Sequence, residues 1–468
     1  MEKKNAWEKY PEGTKRQDVF TFAEEYRKFI SSCKTERECA GEFYRKAKEA
    51  GFADLSEKIA QNTKLKAGDR IVANNMGKGL ALFVIGEKDI EEGMNILGAH
   101  IDSPRMDLKQ VPLYEDTEMA LLDTHYYGGV KKYQWVTLPL ALHGVIAKKD
   151  GGTTVTVNIG EKPEDPVFGV SDLLIHLAGE QMEKKASKVI EGENLDLLVG
   201  SIPAASDDEK EKKEMKDRVK ANILNILSKE YGVDEEDFLS AEIEVVPAGA
   251  ARDYGFDRSM IMGYGHDDRV CAYPSFAAML EIEKPQHTSV CLLVDKEEIG
   301  SVGASGMQSH FFEDSVAEII NLLGEYSELK VRRALHNSRV LSSDVSAAFD
   351  PNYPSVMEKR NCAYFGKGLV LNKYTGARGK SGSNDANAEY IARLRRIFDD
   401  NDVSFQTSEL GKVDQGGGGT IAYILANYGM NVIDSGVAVL NMHAPWEIIS
   451  KVDLYEALHG YVAFLKEA

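Results

Sequence analysis

Two histidines and several carboxylates sit where apolar runs give way to polar tips. Gly98-Ala99-His100-Ile101-Asp102 follows Met94-Asn95-Ile96-Leu97, and Asp295-Lys296-Glu297-Glu298 follows Val290-Cys291-Leu292-Leu293-Val294. Ser342-Ser343-Asp344 follows Val340-Leu341, and Asn441-Met442-His443 follows Val437-Ala438-Val439-Leu440. A fifth group, His266-Asp267-Asp268, follows Met260-Ile261-Met262-Gly263-Tyr264-Gly265. A single histidine or carboxylate at such a place is usually a satisfied structural group. Recurrence at the same end of successive strands would gather them at one rim, as a nitrogen and oxygen donor set that suits zinc, manganese or cobalt. The adjacent Glu297 and Glu298 carry a further meaning. A hydrolytic metal centre needs one carboxylate on the metal and another, unbound, to take a proton from water.

The elements that must position these groups are apolar strands alternating with helices, which predicts an α/β sheet covered on both faces with ligands beyond the carboxyl ends of its strands. Thr35-Glu36-Arg37-Glu38 reads as a capping box, with Ala40, Phe43, Tyr44 and Ala47 on one helical face before Gly51. Between about Leu108 and Pro247 the texture changes. Val136 to Ala147 and Thr153 to Ile159 are β-rich and joined across Asp150-Gly151-Gly152, a hairpin signal, and a helix is expected from Ser171-Asp172 through Leu173, Leu174, Leu177 and Met182. Ser206 to Arg218 alternates acids and lysines and reads as a solvated segment. This middle block predicts an inserted domain over 108–246, with 1–107 and 247–468 forming one discontinuous domain.

Composition narrows the function classes. Against 56 Lys+Arg stand 75 Asp+Glu, a formal net charge of −19 over 468 residues, which disfavours nucleic acid as a partner. No run approaches the ~18 apolar residues of a membrane helix. The amino terminus, Met1 to Arg16, is polar, and the five cysteines are scattered and odd in number, so the expected compartment is the cytoplasm.

Taken together and in order, the five motifs, with Asp350-Pro351-Asn352-Tyr353 after Asp344 and Ala444 after His443, resemble those of the aspartyl aminopeptidase and vacuolar aminopeptidase I family. The resemblance covers essentially the whole chain. It implies a zinc-exopeptidase-like α/β fold, a mixed sheet sandwiched by helices with an inserted β-rich dimerisation domain. It also implies a metalloaminopeptidase with two divalent ions per subunit, zinc first, with Mn2+ or Co2+ as alternatives. Carried over, His100 and Asp344 would hold one ion, Glu298 and His443 the other, and Asp267 would bridge them. Glu297 would be the general base, Asp102 would fix the His100 imidazole, and the Asp267–Asp268 peptide would be cis.

The same resemblance makes His176, in Ser171-Asp172-Leu173-Leu174-Ile175-His176-Leu177, a candidate substrate contact in a neighbouring subunit, within a homo-oligomer expected to be a dodecamer built from dimers. Arg378 and Lys380, in Gly376-Ala377-Arg378-Gly379-Lys380, are candidates for receiving an acidic substrate side chain. Asp414-Gln415-Gly416-Gly417-Gly418-Gly419-Thr420 lacks the Gly-Lys-Ser/Thr of a nucleotide loop, and bare backbone there could approach a peptide. Where better-known members read Asp-Met-Ala-His-Ala, this chain has Asp344-Val345-Ser346-Ala347-Ala348, and Asp268 replaces an asparagine, which points to a bacterial branch. Two other readings compete: a related two-metal hydrolase of acylated amino acids or a carboxypeptidase, which would ignore a free amino terminus, and a catalytically idle assembly scaffold, which would have no use for a spare glutamate.

Overall fold

Strands with apolar residues at successive positions need cover on both faces, and the nine-stranded sheet among the described residues has it. The computed structural model describes residues 4–205 and 216–468, apart from the side chains of residues 377 and 378. They fall into two units, one of Met1–Ser103, Ala251–Met442 and Glu447–Ala468, the other of Pro104–Ala250 with His443–Trp446.

In the first unit nine strands lie in the order Ala53–Asp54, Arg70–Asn75, Gly79–Val84, Ser289–Val294, Asn95–His100, Arg339–Ser343, Asn431–Gly436, Leu369–Asn372 and Phe405–Thr407. The four from Ser289–Val294 to Asn431–Gly436 are mutually parallel. Their carboxyl ends therefore share one edge. Side chains alternate between two cores. Leu97, Ala99, Leu341 and Ile433 pack with Phe276 and Phe464, from the helices His266–Leu280 and Lys451–Glu467. Ile96, Val290, Val340 and Val432 pack on the other face with Phe312, Val316, Ile421 and Leu425. The helix Glu36–Glu49 begins at the expected capping box: Glu38 N donates to Thr35 Oγ1 at 3.1 Å and Thr35 N to Glu38 Oε2 at 3.1 Å.

A second sheet of this unit runs Arg252–Tyr254, Met260–Gly263, Glu447–Ser450, Ala438–Leu440 and Ser346–Ala347. The strands leading to Asp267 and to His443 belong to it. The expectation that all the strand-end groups close one sheet's rim is thus corrected: His100, Glu297-Glu298 and Asp344 leave the parallel sheet, while the other two groups leave the smaller one.

The other unit is a six-stranded antiparallel sheet in the order Thr154–Ile159, Leu140–Ala147, Ala241–Pro247, Arg105–Asp116, Met119–Tyr127 and Leu197–Gly200. Its hairpin is tied by Asp150 Oδ1, which accepts from Gly152 N and Thr153 N at 2.9 and 2.8 Å. The strand expected from Val136 begins at Leu140, after Pro139 removes a backbone donor. The helix expected from Ser171 is confined to Gly179–Met182, preceded by a turn in which Leu177 N reaches Leu174 O at 2.9 Å. Leu173, Leu174, Ile175 and Leu177 are exposed, so no apolar face is buried to stabilise a longer helix. Much of the Ser206 to Arg218 segment lies outside the described residues. Among the described residues no helix is long and apolar enough to cross a membrane.

Candidate active site

The donors at the centre are aimed both by local backbone features and by partners distant in sequence. His100 is the last residue of Asn95–His100 and is buried. Its Nδ1 lies 3.0 Å from the carbonyl oxygen of Asp102 and 3.3 Å from Asp102 Oδ1. A carbonyl only accepts, so Nδ1 carries a proton, which leaves Nε2 as the nitrogen able to face an ion. Nε2 lies 3.2 Å from Asp267 Oδ1 and 3.9 Å from Glu297 Oε2.

The Asp102 carboxylate has a second task that no sequence motif announces. Its Oδ1 and Oδ2 accept from the backbone N–H groups of Glu297 and Glu298, each at 3.2 Å. Upstream, Asp295 Oδ2 takes the Ser305 hydroxyl at 2.5 Å, and Lys296 adopts φ +70° before the single turn Glu297–Ile299. The turn separates the two adjacent glutamates. Glu297 offers an oxygen within 4.8 Å of His100 and Asp344 donors, whereas Glu298 does so with His100 and Asp267. A third group within the same limit joins Asp267, Asp268 and Asp344.

Asp267 and Asp268 open the helix His266–Leu280 with non-helical dihedrals and a cis peptide between them, as the resemblance implies. Asp267 N donates to Glu447 Oε2 at 3.0 Å, and Ser103 Oγ donates to Asp267 O at 2.8 Å. Arg269, fully buried, donates to Ile101 O at 3.2 Å and Lys34 O at 2.8 Å, fastening this segment to the His100 strand end. Gly265 is required there: its φ is +75°, and a Cβ would stand 2.3 Å from Arg269 Nη1. Asp344 N donates to Ser435 O at 3.1 Å.

Electrostatics ask for a cation. Burial, then Asp267, pushes the Asp268 carboxyl well above its ordinary range; burial, then Asp268 and Glu297, does the same at Asp344. Burial works against charge on His100, yet Asp102 and Asp267 hold it well above the imidazole value. Carboxylates crowded this closely ionise together only beside compensating charge. One imidazole and several carboxylates, buried to half-buried, fit a borderline divalent ion such as zinc.

Comparison with known proteins agrees. The model of the family described as aminopeptidase I zinc metalloprotease (M18) matches residues 29–465. A relative from Clostridium acetobutylicum named "Probable M18 family aminopeptidase 1" is 64% identical over 464 residues, 99% of this chain and 98% of its own. The chain belongs to the M18 family. It is a metalloaminopeptidase. The crystal structure of the Thermotoga maritima M18 aminopeptidase superposes with a TM-score of 0.93 at 44% identity, covering 100% of both chains. The S. cerevisiae mApe1 dodecamer, 19% identical with a TM-score of 0.74 over 96% of this chain and 97% of its own, shares the fold.

The remaining candidate residues of this M18 aminopeptidase have the following local settings. His443 falls in the stretch His443–Trp446 of the antiparallel-sheet unit, where its Nδ1 is 3.0 Å from Gly129 O. His176 is exposed in the turn of that unit rather than on a helix. Lys380 is held by Asp385 Oδ2 at 3.1 Å and lies 3.9 Å over the Tyr374 ring. The Arg378 side chain lies outside the described residues. Two acids carry no motif that marks them in the sequence, Glu447 behind Asp267 and Asp434 within Asn431–Gly436. Asp434 has a faint signal, an acid following Val432-Ile433 in a run that should be apolar throughout.

Proposed function

We propose that this M18 aminopeptidase releases amino-terminal residues at a two-ion centre in which His100, Asp267, Glu298, Asp344 and His443 are the ligands and Asp267 serves both ions. Zinc fits the donors, with Mn2+ and Co2+ compatible with the same set. Bound there, it supplies Lewis acidity to the scissile carbonyl and lowers the pKa of water. The chain's own part is proton traffic. A Glu297 carboxylate oxygen takes the proton from the attacking water and returns it to the leaving amine nitrogen, so the base ends the cycle ionised as it began. Asp102 holds the Glu297 and Glu298 backbone and keeps the His100 proton on Nδ1. The Gly129 carbonyl favours the matching tautomer of His443.

The observation that carries this reading is the divided pair at Glu297-Glu298: one carboxylate anchors both their N–H groups while their side chains enter different donor groups. Aminoacyl reporters with acidic, neutral and basic residues, run with each metal, test it. Glu297→Gln should abolish release and leave zinc content, by atomic emission, unchanged; full activity in that variant refutes the base assignment.

The block 108–246 is proposed as the oligomerisation domain, assembling dimers into a dodecamer with His176 reaching a neighbour's substrate and with Arg378 and Lys380 selecting side chains. The exposed Leu173, Leu174, Ile175 and Leu177 support a covered surface there. A monomer by light scattering removes both the assembly and the role of His176. The cytoplasm is the proposed compartment, supported by five free, buried cysteines, and cell fractionation tests it.

A further inference from the structure

Asp434 is fully buried in the parallel sheet, in register with Ser342 on one side and Asn372 on the other. A plain filler at such a position would be apolar, since a buried carboxyl is unfavourable unless something holds it. What holds it is Thr420, whose Oγ1 donates to Asp434 Oδ1 at 2.5 Å. The same hydroxyl accepts from Ala422 N at 3.3 Å, so one side chain joins the end of loop 414–420, the helix Ala422–Ala426 and the sheet. Asp434 Oδ2 meets no protein partner among the described residues.

This junction stands beside the centre. Ser435, the next residue, gives its carbonyl to Asp344 N at 3.1 Å. Burial, with a contribution from the neighbouring Glu297 charge, lifts the Asp434 carboxyl to about 7. The loop it secures is bare backbone. A Cβ on Gly416 would lie 1.5 Å from Leu410 O, and Gly417 has φ +132°. Gly418 N donates to Thr375 O at 3.2 Å, which ties the loop at a second point to the segment leading to Lys380. Gly418 and Gly419 are exposed. Exposed glycine backbone at the carboxyl edge of a sheet suits an extended peptide, whose own N–H and C=O groups need partners.

We propose that Thr420 and Asp434 form a latch that positions loop 414–420 as a backbone platform for the peptide substrate, a role that rests on the aminopeptidase reading above. Thr420 and Asp434 are positioning residues: they act on substrate through the loop and touch neither the reacting bond nor the ions.

The test uses the full-length, zinc-loaded protein with Thr420→Val, Thr420→Ser and Asp434→Asn, read by steady-state kinetics on short peptides and by hydrogen–deuterium exchange over residues 409–421. Thr420→Val should raise KM roughly tenfold, the size of one charge-assisted hydrogen bond, while kcat stays within about twofold. Zinc content should be unchanged and exchange in the loop faster. Thr420→Ser, which keeps the hydroxyl, should restore both KM and exchange. If Thr420→Val does not fold, Asp434→Asn decides: it keeps an acceptor but loses the charge, and a smaller rise in KM with faster exchange supports the latch. Unchanged KM, or kcat and zinc content falling together at constant KM, overturns it. Exchange is measured without turnover, so unchanged exchange refutes the latch even if no reporter is cleaved, whereas absent turnover by the wild type refutes the aminopeptidase reading instead.

Discussion

In the parallel-sheet unit Asp268, Asp434, Asp453 and Arg269 are all cut off from solvent. In the antiparallel-sheet unit the opposite residues are out of place: Leu173, Leu174, Ile175 and Leu177 are 54 to 70% exposed. That unit also has an open apolar pocket of about 370 Å³, lined by Leu108, Val157, Ile159, Ile223, Leu227 and Phe238 among others. A charge stays buried only where hydrogen bonds, an opposite charge or an ion hold it, so the first pattern marks groups held for chemistry or for anchoring loops. Clustered apolar side chains left exposed are what a covering surface would bury, and the proposed oligomerisation domain rests on that second pattern. The two units break the inside–outside rule in opposite directions.

The contrast can be broken most sharply at Asp267. Asp267→Ala should lose bound zinc on dialysis and lose more activity than the 10–100-fold typical of residues that merely orient ligands. Zinc retained with activity intact would show that the buried charges of this unit serve no ion. Asp102→Ala should fall within that roughly 10–100-fold range in kcat, because it frees the Glu297 and Glu298 backbone while sparing the donors. An unchanged kcat would reduce Asp102 to packing.

Asp453 sharpens the comparison from the side of stability. Its two oxygens accept from Gly366 N at 2.8 Å and Gly368 N at 2.7 Å, and burial raises its carboxyl to about 7. Between about pH 4 and 7 the folded chain therefore holds a proton that the unfolded chain releases. This group's contribution is complete below about pH 4 and is lost as the pH rises through 7. Wild type should accordingly lose more melting temperature between pH 4.5 and 7.5 than Asp453→Asn, and parallel slopes by calorimetry would contradict this. The smallest change in fold stability is expected in the other unit. Leu174→Asp and Ile175→Asp should alter unfolding free energy by only about 0.5 kcal/mol while reducing particle size in light scattering. Large destabilisation would mean that these side chains support their own unit instead of meeting a partner.

Much of the centre is legible in the amino-acid sequence. The apolar runs ending at His100, Glu297-Glu298 and Asp344 announce both the strands and the useful end of each, because a buried parallel strand is apolar until it leaves the sheet. The capping box at Thr35 and the hairpin at Asp150 are equally local. Helical spacing at Leu173, Leu174 and Leu177 misleads, since spacing states which face a helix would bury and is silent on whether anything lies against it. The strand before His443 misleads in another way, because a Val437-Ala438-Val439-Leu440 composition fits either sheet of the first unit.

The sequence alone therefore determined the donor chemistry, imidazoles and carboxylates at strand ends, together with an adjacent pair of glutamates. Those are properties of residue type and of the few residues on either side. Tertiary structure decided which donors meet: the parallel register of Asn95–His100, Ser289–Val294 and Arg339–Ser343 aligns their carboxyl ends. It also decided that the Asp102 carboxylate holds Glu297 and Glu298, and that Thr420 reaches Asp434. Such pairings depend on chain segments far apart in sequence arriving within hydrogen-bonding distance, and only the packing of the sheet and its helices sets that distance.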